Sequence, residues 1–414
     1  MPQRLLNRRM FLLLVASLGG MSGFNVLLSV VPLYVAAGGE GGVGAGLTTG
    51  VMMLATVLTE LAVPRLLDRF GCRALVAAGL VLLGVPAALL ALSPSLPWTL
   101  AVCLARGAGL GIVVVAGTTL AAQLAPPGRR SESLGLYGVA IGVPPVVALP
   151  LGVSLSDSLG FAPVFLGTAA LTLAALAAVP GLPGRAEAPA VEAVEAVPSG
   201  PAAPGPAAGG GGVLGGLKVP ALARPTLILA AGTLVAGVVV TFLPLALIDA
   251  DRNLVAAALL VQAATAPVAR WCAGWYGDRF GSGRLLVPAV CAGAAGTAAL
   301  AFPGAPWGVL VGMALFGAAY GVLQNVTLTV MFERVPRAAF GRVSALWNLA
   351  FDAGMGVGAV GFGVLIGWTG YSTGFALTAA LLLAAVVPAW LDTRAGDRGP
   401  RPARHLSNPR SAAR

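Results

Sequence analysis

The chain has 414 residues, 57% of them hydrophobic and only 10% charged, with a mean hydropathy of +0.90 and a net charge of +10. Soluble domains carry about 25% charged residues, so this composition excludes an ordinary soluble enzyme or binding module and points to a polytopic membrane protein. Apolar stretches of about 20 residues recur, each long enough to cross roughly 30 Å of hydrocarbon as a helix. In chain order they fall near 10–36, 47–66, 74–93, 98–122, 133–155 and 162–180, and then near 226–248, 254–276, 285–303, 307–331, 343–367 and 372–391. Lipid offers no hydrogen bonds to open backbone, so the spans are expected as helices. The fold class is therefore all-α, with twelve transmembrane helices in two six-helix bundles.

Ahead of the first span, Asn7-Arg8-Arg9-Met10-Phe11-Leu12-Leu13 resembles a twin-arginine export signal. Eleven further spans make a basic anchor before a first transmembrane helix the better reading. Residues 181–224, rich in Pro, Gly and Ala, read as a flexible linker. The expected organisation is a first bundle over 1–180, the linker over 181–224, a second bundle over 225–392 and a basic tail over 393–414. Arginines crowd the even connections and both tails, whereas the odd connections hold only Arg252 beside Glu40, Asp157, Asp249 and Asp251. This positive-inside asymmetry places both chain ends in the cytoplasm. It also assigns the basic charge to cytosol and anionic lipid rather than to nucleic acid. Twenty-four arginines against one lysine, with abundant Ala, Gly and Pro, suggest a GC-rich bacterium and its cytoplasmic (inner) membrane.

Cys72, Cys103, Cys272 and Cys291 show no metal-site spacing, and the single histidine, His405, lies in the tail. No metal, cofactor or disulfide is expected. No phosphate-binding G-x-x-x-x-G-K-[ST] loop argues for an ATP-driven pump, and no hydrolytic or redox constellation appears.

The two halves repeat. Asp68-Arg69-Phe70-Gly71 returns 210 positions later as Asp278-Arg279-Phe280-Gly281, and the same offset carries Gly111 onto Gly321, Pro126 onto Pro336, Tyr137 onto Trp347 and Phe165 onto Phe375. A long-period repeat of helical spans implies two homologous bundles. An even number of spans per half relates them by an axis along the membrane normal, giving pseudo-two-fold symmetry.

With these residues the chain resembles the major facilitator superfamily, and among its branches the bacterial drug/proton antiporters. The family's signature between helices 2 and 3, G-x-x-x-D-R-x-G-R-[RK], is similar to Pro64 to Arg73. Pro64 stands for the first Gly and Cys72 for the next-to-last residue. The second copy, Gly274 to Gly281, keeps the first Gly. The resemblance implies that Asp68, Arg69, Gly71 and Arg73, with Asp278, Arg279 and Gly281, form a latch. Asp68 would meet the amino end of helix 11 near Gly341 to Ser344, and Asp278 would meet helix 5 near Ser131, holding the inner side shut.

Ionisable groups at membrane depth are functional candidates. Glu60 lies roughly 12 Å above Asp68 on one helix, and its repeat counterpart is Arg270. Asp352 stands well inside the eleventh span, and Arg106 in the fourth. Burial disfavours the charged form of a carboxylate, and that is how such a group comes to carry protons near neutral pH. Proton coupling is therefore expected at Asp352 and Glu60. The family's helix 4 arginine implies that Arg106 tunes it; ion pairs of these carboxylates with Arg270 or Arg106 are the structural alternative. Arg270, with Asn25, Gln324, Asn325, Trp347 and Asn348, is expected to line a substrate cavity, although such groups also serve as helix–helix hydrogen bonds. In the fifth span Gly142, Pro150 and Gly152 resemble the family's antiporter signature, which implies close packing and export.

The function expected is secondary active transport by alternating access, with protons driving export of a small lipophilic compound by a monomer. Proton-symport uptake of a sugar or organic acid is the alternative. A non-transporting receptor or scaffold is a third reading, one that usually brings a larger soluble domain.

Overall fold

A computed structural model describes residues 6–126, 130–184, 213–247, 252–335 and 340–397. Among these residues nine helical runs are apolar and long enough to cross a membrane. Two of them, Arg8–Val63 and Val343–Arg394, run 56 and 52 residues and each cross twice. Leu286–Ala299 is a shorter span that completes the twelve.

The first half consists of α1 (Arg8–Val35), α2 (41–70), α3 (72–89), α4 (Leu96–Gln123), α5 and α6 (Phe161–Ala174). Asn7 caps α1 by accepting from the Met10 amide at 2.8 Å. The second half consists of α7 (Pro220–Ala246), α8 (Arg252–Phe280), α9 (Leu286–Ala299), α10 (Pro306–Glu333), α11 (340–369) and α12, which runs from 371 to 384 and continues as Val386–Asp397. Proline occupies the first turn of α4, α7 and α10, where its missing N–H costs nothing.

Two details go beyond the expected spans. The fifth crosses as one 24-residue run, Leu136–Leu159, but its helix is interrupted at Val143, between Arg130–Gly142 and Pro144–Leu159; together they form α5. Pro144 and Pro145 have no amide hydrogens to return to the preceding turn, so the hydrogen-bond ladder lapses there. The second half also begins inside the stretch expected as linker. A short 3₁₀ turn, Val213–Lys218, precedes α7, and a Cβ on Gly216 would stand 2.7 Å from a methyl of Leu346 on α11. The rest of that linker, 185–212, and the tail beyond 397 lie outside the described residues.

The repeat survives in backbone geometry. Gly71 and Gly281 take φ of 78° and 92°, a region L-residues avoid, which lets the chain reverse between α2 and α3 and between α8 and α9. Helix packing repeats as well. A Cβ on Gly107 or Gly111 of α4 would strike the carbonyls of Met52 or Thr56 on α2. Their counterparts Gly317 and Gly321 of α10 meet the carbonyls of Gln262 and Ala266 on α8, each at the same offset. The Tyr137 hydroxyl lies against Gly117, and its counterpart Trp347 donates Nε1–H to Thr327 Oγ1 at 3.2 Å.

Twelve crossings put residues 6 and 397 on one face, here the chain-end face, with the turns at Gly71 and Gly281. The halves approach most closely away from it. Gly42, Gly46 and Gly50 of α2 lie against Ile366, the Ala359 carbonyl and Val360 of α11, while Gly356 receives Met53. Thr49 and Thr241 (α7) share a hydrogen bond of 3.0 Å across the same seam. Near the chain-end face Asp68 is exposed and the described residues show no comparable approach. Among the described residues, the close contacts between the halves lie on the far face.

Candidate functional site

The cleft between the halves gathers ionisable groups from four helices. Glu60 projects from α2 over Gly111 of α4, where a Cβ would stand 3.3 Å from the Glu60 Cγ; glycine there makes room for the carboxylate arm. Asp352, half-buried on α11, lies within electrostatic reach of Glu60, so the two carboxylates of opposite halves feel each other's charge. Tyr320 of α10 is in reach of both Asp352 and Arg270. Arg270 of α8 is exposed to the cleft and donates Nη1–H to Gln324 Oε1 at 3.3 Å. Behind these polar groups stands an aromatic wall: Trp347 stacks on Phe351 at 5.5 Å, Phe351 faces Tyr320 at 6.2 Å, and Tyr320 stacks on Phe316 at 5.8 Å. Phe316 and Tyr320 are buried in the core, so the apolar surface a ligand could meet beside these polar groups comes from the half-buried Trp347 and Phe351.

The remaining expected cavity residues divide. Asn325 and Asn348 are half-buried, and a Cβ on Gly274 would be 3.5 Å from Asn325 Nδ2. Asn25 is 3% exposed and donates to the Met21 carbonyl at 2.7 Å within its own helix. Arg106 is buried away from both carboxylates and donates Nη2–H to the Gly23 carbonyl of α1 at 3.2 Å. In the fifth span Gly152 packs on the Val26 carbonyl of α1, and Pro150 is buried beside it. Gly142 has no neighbour among the described residues that a Cβ would touch; it stands at the interruption of α5 and makes no close packing there.

In the two signature turns, Asp68, Arg69 and Arg73 are exposed, and Gly71 and Gly281 make the reversals. Arg69 lies over the Phe70 ring at 5.2 Å and Arg279 over Trp275 at 4.0 Å. The side chains of Asp278, Arg342 and Ser131, the expected partners in the latch contacts, lie outside what the structure describes.

Sequence reasoning missed Tyr320, Thr49, Thr241 and the pair Arg334–Asp392. Arg334 holds Asp392 (1% exposed, on α12) through both guanidinium nitrogens at 2.7 Å and donates to the Ala221 carbonyl at the start of α7. A tyrosine or threonine in an apolar run carries no signal. Charges at span ends are read by default as marks of topology.

The family model of the Major Facilitator Superfamily matches residues 10–359 and 272–413. The chain belongs to the Major Facilitator Superfamily. Its fold is that of solved transporters. It matches the nucleoside transporter NupG with a TM-score of 0.74 at 13% identity, covering 95% of this chain and 100% of that one. A bacterial homolog of the human lysosomal transporter Spinster, in an inward-facing and occupied conformation, matches with 0.74 at 15% identity over 95% and 98%. A D-xylose–proton symporter matches with 0.73 at 16% identity over 92% and 97%. At these identities the likeness is one of fold. Family and fold make this chain a membrane transporter rather than an enzyme.

Proposed function

We propose that this superfamily member is a proton-coupled exporter of a small, largely apolar organic compound, with Asp352 and Glu60 as its proton-carrying pair. One observation carries the reading: the two carboxylates are supplied by opposite halves, lie in electrostatic reach of each other, and hold no arginine among the described residues. Two nearby carboxylates repel when both are charged, so a proton on either one favours their approach. Rocking the halves changes their separation. Proton binding and conformational state are then linked, and the linkage is reciprocal. The direction of transport rests on the sequence, through Pro150 and Gly152 in α5. The substrate class rests on the aromatic wall and the few hydrogen-bonding groups around it. The positive-inside charge assigns the chain-end face to the cytoplasm of a bacterial inner membrane.

The test is intracellular accumulation of a panel of lipophilic antibiotics and dyes, in cells making the intact protein or Asp352→Asn, with and without a protonophore. The expected result is lowered accumulation of at least one compound, abolished by the protonophore and by the substitution alike. Lowered accumulation that survives Asp352→Asn would move coupling to Glu60 alone. Raised accumulation with the intact protein would replace export by symport.

A further inference from the structure

Arg106 is the largest fully buried side chain among the described residues, with 1% of its surface exposed. Its guanidinium is permanently charged and has five N–H donors. Only Nη2 finds an acceptor there, the Gly23 carbonyl; Nε and Nη1 are buried without any partner. A buried charge of this kind is expensive unless something compensates it. Beside the guanidinium is a cleft between α1, α2 and α4, with apolar walls from Leu27, Leu28, Val31, Pro32 and Met52. Its inner space holds about one water-sized body. Two hydroxyls, Thr48 and Thr49, and the Cys103 thiol, a weak and uncharged acceptor, complete the lining. Thr48 already donates to the Ala45 carbonyl at 2.7 Å. Thr49 shares its hydrogen bond with Thr241 of the other half, and a hydroxyl that accepts from Thr241 has its own hydrogen left to give.

We infer that Arg106, with Thr49, forms a site for one small anion: a halide ion, or a single carboxylate oxygen of an acidic solute. A water molecule would accept one N–H but leave the charge uncompensated. An anion supplies both the acceptor and the countercharge, and the cleft's size admits one atom of it. Because Thr49 is part of the seam, the site is complete only when the halves are closed on the far face. Anion binding therefore stabilises that closed form. The inference depends on neither the substrate nor the direction proposed above.

The experiment is thermal unfolding of the purified full-length protein in detergent, followed by tryptophan fluorescence. The background is sodium sulfate, whose doubly charged and strongly hydrated anion is not expected to shed its water for an apolar-walled cleft. Sodium chloride and sodium acetate are titrated in separate arms. A saturable rise in melting temperature is expected in at least one arm. Chloride alone would identify a halide site and acetate alone a carboxylate site. The rise should vanish in Arg106→Gln, weaken in Thr49→Val and persist in Arg106→Lys. No saturable rise in either arm, or an unchanged rise in Arg106→Gln, overturns the inference. Should Arg106→Gln not fold, crystals of the intact protein in saturating bromide or bromoacetate decide: an anomalous peak beside Arg106 in either supports the site, and an empty cleft in both overturns it.

Discussion

Arg334 and Asp392 bind with near-ideal bidentate geometry, yet their repeat counterparts in the first half, 210 positions earlier, are Leu124 and Leu182. Breaking a buried pair from one side costs about 3–5 kcal/mol, because the stranded charge remains, whereas an apolar replacement of both partners is often neutral. Arg334→Leu should therefore lower the unfolding free energy by about that amount. Arg334→Leu with Asp392→Leu should recover most of the loss, as measured by thermal unfolding in detergent. Legibility at this scale followed charge and depth. Glu60, Asp352, Arg106 and Arg270 were found because a charge inside an apolar run is conspicuous. Their partners were not, because a side chain's partner depends on how neighbouring helices are turned. Arg106 reaches a backbone carbonyl of α1, and Arg270 an amide of α10. Asp392 escaped notice because it sits where a span ends and charge is ordinary.

Glycine contacts of similar closeness serve two different purposes among the helices. Gly321 of α10 lies on Ala266 of α8 within one half, while Gly46 of α2 lies on Ala359 of α11 between halves. A leucine at Gly321 forces apart two helices that stay together throughout a rocking motion. It should depress the melting temperature in every state. A leucine at Gly46 obstructs only the closed far face. Gly46→Leu should leave the bundles folded and shift the population toward the opposite opening. Cysteine accessibility along the chain-end half of the cleft, falling in Gly46→Leu but not in the intact protein, would register that shift. The spans themselves were legible from hydropathy. The interruption at Gly142–Val143 was not, because apolar content continues across it, although the Pro144-Pro145 pair carries its cause. The early start of α7 was hidden by Pro and Gly content that reads as linker until a helix is seen to begin on Pro220.

Across the whole molecule, alternating access as proposed requires two end states, and the described residues of this one join the halves on the far face. Asp68 is exposed in it. If Asp68 engages the foot of α11 only in the opposite state, Asp68→Asn should slow transport several-fold while leaving the melting temperature of this state unchanged. An equal loss of stability would instead make Asp68 part of the turn's local structure. The two-bundle plan was legible because one tetrapeptide recurs at a fixed distance. Which end is shut was not, since both end states are written in the same residues.

The seam on the far face is built of glycines, aliphatic side chains and one pair of threonine hydroxyls, with no charged side chain among the contacts described. Charge-free contacts are not weakened by ionic screening, and nothing in them titrates. With the chain ends in the cytoplasm as proposed, this seam faces surroundings whose salinity and acidity the cell does not govern. The ionisable turns stand on the side that it buffers. Screening and outside acidity would then leave these contacts as they were, and an anion seated beside Arg106 and Thr49 would only add to the closure.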